Sequence, residues 1–495
     1  ARPLAEWGAL SLPLAFFLPL LTALAAFLLG ARQAPWLAGI GALATVAAVA
    51  DAVRRVAAHG PQAYHLGGWM PPLGVELYAD GLAALMLAMT AAVGLAVTAY
   101  AGPYLHDGHH HQEAERFWPL WLVQWAALNG TFLAADLFNL YIMLELVTLT
   151  AVPLVAITGD RASLGAAMRY LLLALLASLA YLLGVALLYG GTGTLHLRQV
   201  GELVGAGGPA AVAAALITAG LLLKGAIFPL HTWLVPAHSN APAPASAVLS
   251  ALVVQAGVYL VLRLWLWTFP ALLSPAVGWL LGGLGAASVL YGSLQALRQS
   301  RLKPVIAYST VAQLGYPLLL LPLAAVPAAA AQAWQGAAYY IVAHGLAKAG
   351  AFLAAGNIRY SLGHDRLAGL RGLAPELSVS VLALGLAFVS LMGLPPTAGF
   401  LAKWQLLSGA LGGGQWPWAA VIVLGGLLAA GYGLRVLAMA LAAAPSDEPV
   451  RRPPQRLPRR MVAVPLLLAL AVYLLGVSAV PALRLLEQGA PEALG

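Results

Sequence analysis

The sequence predicts an all-α, polytopic membrane protein with about 14 transmembrane helices, including two inverted five-helix repeats that each contain a broken helix. Three observations carry this. Of 495 residues, 61% are hydrophobic and only 8% charged, against about 25% charged in an ordinary soluble domain. Apolar runs of about 20 residues, the length that crosses a bilayer, recur along the whole chain. Two of those runs are interrupted by proline and glycine beside a lysine.

The expected spans have cores at 10–29, 36–53, 82–104, 118–135, 137–157, 166–190, 209–230, 242–267, 278–297, 303–326, 333–355, 376–408, 416–443 and 461–482. Residues 1–117 hold the first three helices, 118–267 the first repeat, 278–443 the second, and 461–495 a last helix and short tail. The polar stretches near 54–80, 105–117, 357–375 and 444–460 read as connections, leaving no soluble domain. Runs of Ala, Leu and Gly imply close helix packing. The tract "HDGHHH", residues 106–111, reads as a solvated loop.

The chain contains no cysteine. That excludes disulfides, zinc–thiolate sites, iron–sulfur clusters and c-type haem attachment. A G-x-x-x-x-G-K-[ST] loop is also missing, so nucleotide or redox chemistry would belong to partners. No cofactor or metal is expected, and the chain is read as a transporter subunit.

Orientation follows from the basic residues. The connections after odd-numbered spans carry fifteen of them, including Arg298, Arg301, Lys303, Arg359, Arg366, Arg371 and Arg451, while the opposite face carries five. Positive charge marks the cytoplasmic side, so both termini are expected outside a bacterial or archaeal cell membrane. The net charge of +8 then reports topology and not nucleic-acid binding.

Five basic residues fall inside spans: Lys224, Arg263, Lys348, Lys403 and Arg435. Arginine outnumbers lysine 21 to 4, yet three of the four lysines are among them. Arg263 and Arg435 lie in the outer thirds of their spans and are expected to snorkel to the interface. Lys224 and Lys348 are deeper, and Glu145 is the one mid-span acid. Each such charge costs about 2.5–3.5 kcal/mol at a helix centre, so it marks a function. Lysine in particular suits proton exchange, because desolvation brings an amine toward neutrality while arginine stays charged.

The neighbours extend that reading. Tyr340, His344 and Lys348 recur every four residues, which places phenol, imidazole and amine along one helix face. Ser309, Gln313 and Tyr316 in span 10, with Ser246, Ser250, Gln255 and Tyr259 in span 8, would supply a polar file for water-linked proton transfer.

Both interrupted spans bear a lysine. Pro229 and Pro236 follow Lys224, and Gly393, Pro395, Pro396 and Gly399 precede Lys403. Proline removes a donor and clashes with the preceding turn, so both helices are expected to break in or near the membrane. The two lie five spans apart, and an odd number of spans per repeat inverts topology.

Taken together, "DLFNLYIMLE" ending at Glu145, "KGAIFPLHTWLVPAH" with Lys224, His231 and His238, "LKPVIAYSTVAQLGY", "AHGLAKAGAF" and "GLPPTAGFLAKW" resemble the antiporter-like subunits. These are shared by Mrp-type cation/proton antiporters and the proton-pumping arm of respiratory complex I and related hydrogenases. The resemblance runs from residue 67 to span 13 and is nearest to the D-type subunit of Mrp antiporters. It implies a Glu145–Lys224 charge pair, a central relay of Lys348 with His344, and an exit-side Lys403. It also implies partner membrane subunits, protons as cargo, and Na⁺ or K⁺ as the exchanged cation. One departure stands out: Gln255 occupies a position where many relatives carry lysine, and an amide holds water but does not titrate.

Overall fold

The computed structural model describes residues 10–106, 111–205, 207–443 and 456–491. The histidines of the 106–111 tract at positions 109 and 110, together with Arg451 and Arg452, lie outside the described residues. Every expected span coincides with helix. In chain order these are α1 (Ser11–Leu29), α2 (Ala34–His59), α3 (Gly81–Leu105), α4 (His111–Leu133), α5 (Leu137–Ala156), α6 (Arg161–Thr192), α7 (Leu197–Leu203), α8 (Pro209–Lys224), α9 (Leu234–Asn240) and α10 (Ala243–Thr268). There follow α11 (Pro275–Arg298), α12 (Leu302–Ala324), α13 (Pro327–Leu362), α14 (Ser378–Met392), α15 (Ala398–Gly412), α16 (Trp416–Leu441), α17 (Arg459–Val477) and α18 (Val480–Leu486).

Among the described residues, 11 helices are long and apolar enough to cross a membrane. The other expected spans fall short for identifiable reasons. The α4 helix carries Gln124 and Asn129 in its middle as well as Glu113, Glu115 and Arg116 in its first turns. The α8 helix stops after 16 residues at Lys224, and the span expected at 376–408 is divided into α14 and α15, of 15 residues each. The second break holds Gly393, Pro395 and Pro396 as expected, whereas the first opens at Gly225, ahead of Pro229, and Pro236 lies within α9.

Helix starts are set locally. Asp80, Asp136 and Asp160 cap α3, α5 and α6 by accepting from the backbone N–H groups of Ala83, Asn139 and Ala162 at 3.0, 2.7 and 2.9 Å. Such caps satisfy amides that the first turn leaves without partners. The connection at 54–80 is more ordered than expected: β1 (Gln62–His65) pairs antiparallel with β2 (Glu76–Ala79). This small hairpin is the one sheet among the described residues.

Burial separates inner helices from outer ones. The most apolar windows of α10 and α13 are 100% buried and that of α12 is 94% buried, whereas those of α1, α16 and α17 are 33% buried. A helix wrapped on all sides by protein needs no lipid-facing surface, so polar groups it carries meet other polar groups. The α10 helix also widens into π-helix at Leu249–Val253 and Leu264–Thr268, a distortion concentrated at functional sites.

The ends of α11, α13 and α16 meet on one face of the bundle. Leu302 N donates to Asp365 O at 2.7 Å, Leu367 N to Ser300 O at 2.9 Å, and Gly372 N to Ala442 O at 2.7 Å. Arg301 Nε donates to Asp365 Oδ1 at 2.8 Å. The connections after α11 and α13 thus lie together with the C-terminal end of α16.

Candidate functional site

The first cluster forms where α8 ends. Gly225 and Ala226 leave the helix, and Ala226 takes φ 51°, a left-handed conformation that costs a side-chain-bearing residue energy and is kept only where the surroundings enforce it. The break packs closely on α10, where a Cβ on Gly257 would lie 2.7 Å from Gly225 N. Lys224, the last helical residue, extends its amine to α5. Its Nζ lies 3.0 Å from Glu145 Oε1, 3.0 Å from Thr148 Oγ1 and 3.5 Å from Leu144 O. Ser178 of α6 donates to the same Glu145 oxygen. The expected charge pair is therefore formed, with two hydroxyls that sequence reading had not assigned.

The second cluster lies among α10, α12, α13 and α16. Lys348 is wholly buried, and its Nζ donates to Ile306 O at 2.9 Å and to Ser309 Oγ. One turn along, Gln313 Nε2 donates to the Tyr432 hydroxyl at 2.9 Å, while Tyr340 donates to Gln313 Oε1. Lys403 reaches the far end of this line. Its Nζ donates to Leu391 O at 2.7 Å and sits 4.4 Å from the Tyr316 ring centroid and 5.8 Å from that of Tyr340. The α14 helix ends at Met392, and the free carbonyls of its last turn face the amine, as the negative end of a helix favours a cation.

His344 stands between Tyr340 and Lys348 yet turns toward α10. Its Nδ1 meets Gln255 Nε2, which also donates to Ile341 O at 3.3 Å. His344 Nε2 and Gln255 Oε1 are buried with no hydrogen-bond partner among the described residues. The four-residue stripe thus serves two helices: its outer members bind α12 and its middle member binds α10.

His231 and His238 occupy the segment after the α8 break. His231 stacks near Phe228, Tyr291 and Tyr308, and its Nδ1 has no partner among the described residues. His238 is fully buried against Phe352, ring centroids 4.5 Å apart, with neither ring nitrogen hydrogen-bonded. Neither histidine joins the Lys224 or Lys348 cluster directly. Ser246 and Tyr259 donate to the carbonyls of His238 and Phe132, so both are spent on packing, and Ser250 pairs with Thr310 at 2.8 Å.

Two expectations are corrected. Arg263 does not snorkel: it is 6% exposed, paired with the fully buried Asp80, and 4.7 Å from the Trp267 ring. Its guanidinium finds a carboxylate at the start of α3 and has no need to reach water. Arg435 keeps to its expected place near the end of its span, half-buried and donating to Leu297 O at the end of α11. Lys303, assigned to a connection, is 1% exposed and donates to Ala241 O. All four lysines are therefore buried, including the one that sequence position alone had put at the surface.

The fold and these clusters define a polytopic helical membrane protein with amines and carboxylate sunk between broken helices. Residues 134–429 match the family described as NADH:quinone oxidoreductase/Mrp antiporter, transmembrane. The chain is 37% identical over 478 residues to NADH-quinone oxidoreductase subunit N of Desulforudis audaxviator, covering 93% of this chain and 94% of that protein. It is 29% identical over 377 residues to the D-type subunit of the Na⁺/H⁺ antiporter of Alkalihalophilus pseudofirmus, covering 75% and 74%. A chain of the Mrp complex structure from Dietzia sp. superposes with a TM-score of 0.88 at 25% identity, covering 99% of this chain and 100% of that one. The protein belongs to this family, as an antiporter-like membrane subunit.

Proposed function

We propose that this subunit translocates protons through Glu145, Lys224, His344, Lys348 and Lys403, within a multisubunit membrane complex. The Lys224–Glu145 contact at 3.0 Å carries the reading. While the carboxylate is near, it stabilises the ammonium; when the two separate, the amine is left charged in a low-dielectric site and its hold on the proton weakens. The released proton moves toward Lys348, then by way of Ser309, Gln313 and Tyr340 to Lys403. Gln255 of α10 joins the route through His344 of α13, with water linking groups beyond hydrogen-bond reach. His231 and His238 flank the entry side. In this reading, residues 118–267 and 278–443 act as inverted units, each contributing one broken helix that bears a lysine.

The driving process has two readings. The first is exchange of protons for Na⁺ or K⁺ in an Mrp-type antiporter, supported by the similarity to a D-type Na⁺/H⁺ antiporter subunit and by the Mrp complex superposition. The second is proton pumping in a quinone-linked oxidoreductase, favoured by the 37% identity to an NADH-quinone oxidoreductase subunit over nearly the full length. The relay is the same in both. Proton uptake by vesicles bearing the assembled complex tests it, comparing wild type with Lys224→Ala and Lys348→Ala. Loss of transport with intact assembly supports the relay; wild-type transport in both variants removes it. Dependence on Na⁺ or K⁺, or on quinone reduction, separates the drivers.

A further inference from the structure

A cavity of about 330 Å³ opens where α11 and α16 end, lined by Ser300, Arg301, Arg366, Arg371, Arg435 and Met439. That volume lies within the range of about 300–1,000 Å³ found for small-molecule sites. Its wall is mostly apolar, with Leu367 and Ala368 beside the four arginines, and the one carboxylate nearby, Asp365, already accepts from Arg301. Arg435 spends one guanidinium N–H on Leu297 O, cancelling part of the negative helix end that would repel an anion. Arg366 and Arg371 are exposed, and neither forms an ion pair among the described residues.

The surroundings decide what kind of anion fits. Leu294 on α11, with Leu434 and Leu441 on α16, is 49%, 57% and 67% exposed. These side chains cover the outward faces of the two helices whose ends form the cavity. An arginine cluster set at the end of an apolar helix wall matches an amphiphile with a phosphate at one end and acyl chains along the other.

We propose that this cavity is a binding site for an anionic phospholipid. Its phosphate is held by Arg366, Arg371 and the free donors of Arg301 and Arg435, and its chains lie along Leu294, Leu434 and Leu441. The lipid would join the connection at 357–375 to the ends of α11 and α16, and so brace the end of α13, the helix that carries His344 and Lys348. The site is separate from the proposed proton route: none of its residues hydrogen-bonds to Lys224, Lys348 or Lys403.

The test uses the complex purified in detergent, stripped of lipid, and titrated with phosphatidylglycerol or phosphatidylcholine while bound lipid is counted by native mass spectrometry. Wild type should bind phosphatidylglycerol in preference to phosphatidylcholine, and Arg366→Gln/Arg371→Gln should weaken that binding about 30-fold, as expected for two arginines at an anionic head group. Leu434→Glu keeps all four arginines but blocks the apolar wall, and should also lose the lipid. Equal phosphatidylglycerol binding by wild type and the double variant overturns the proposal. Inorganic phosphate displacing the lipid at similar concentration, with Leu434→Glu unaffected, overturns the lipid assignment in favour of a free anion. Cross-linking of residue 371 to another subunit in the complex overturns it in favour of a protein contact. Thermal melting of each variant verifies that the exposed substitutions leave the fold intact.

Discussion

The side-chain amide of Gln255 on α10 meets Nδ1 of His344 on α13, deep in the most buried part of the bundle. A residue that cannot titrate is thereby put in direct contact with one that can. The amide carries both a donor and an acceptor, so it orients the imidazole and offers Oε1 to a further partner.

Gln255→Leu should therefore lower proton transport while the complex still assembles, because the imidazole loses its positioning contact. Both Gln255→Leu and Gln255→Ala leave a buried ring nitrogen unsatisfied, at about 1–3 kcal/mol, and Gln255→Ala adds the cost of a cavity. Transport in vesicles and denaturation of the purified complex measure the two effects; unchanged transport in both variants removes Gln255 from the route.

Glu145→Gln preserves shape and an acceptor for Ser178 and Lys224 but removes the charge. Transport should drop by about 10²-fold or more, the scale on which a positioned proton-transfer group matters. Glu145→Asp retains the charge at a longer reach and should lose less. Comparing initial rates of proton uptake for the two variants separates charge from packing.

Lys403→Gln should stop transport at the exit side without unfolding the protein. The amide still donates to Leu391 O across the break between α14 and α15 but carries no exchangeable charge over the Tyr316 ring. Tyr340→Phe removes the donor to Gln313 and should reduce transport more mildly, since water can replace one hydroxyl.

Asp80→Asn and Arg263→Met should each destabilise the protein by about 3–5 kcal/mol, because one partner of a buried ion pair is left behind. Removing both charges, in Asp80→Asn/Arg263→Met, which keeps an acceptor for Ala83 N at the start of α3, should recover much of that loss. Thermal unfolding in detergent measures this. Equal stability of single and double variants would show that the pair does not act as a unit.

Much of the site was legible because its residues violate the rule for apolar spans. Lys224, Lys348, Lys403 and Glu145 stand out in hydrophobic sequence, and prolines announce the break between α14 and α15. The partners that complete the clusters carry no such signal. Thr148, Ser178 and Tyr432 are ordinary polar residues of membrane helices, and only their meeting with Glu145, Lys224 and Gln313 makes them members. Lys303 and Arg263 were misjudged for the same reason: distance from a span end says how deep a residue is, not whether Asp80 or the Ala241 carbonyl lies opposite.

Sequence alone determined the helical class and the long apolar segments, because length and apolarity act locally along one segment. It also determined which charges had to be explained, since burying a charge is costly wherever it happens. Tertiary structure decided which helices are inner, which carboxylate meets which amine, and that Gln255 faces His344. Those outcomes depend on contacts between residues far apart in the chain, set by how α5, α8, α10, α12 and α13 pack around one another.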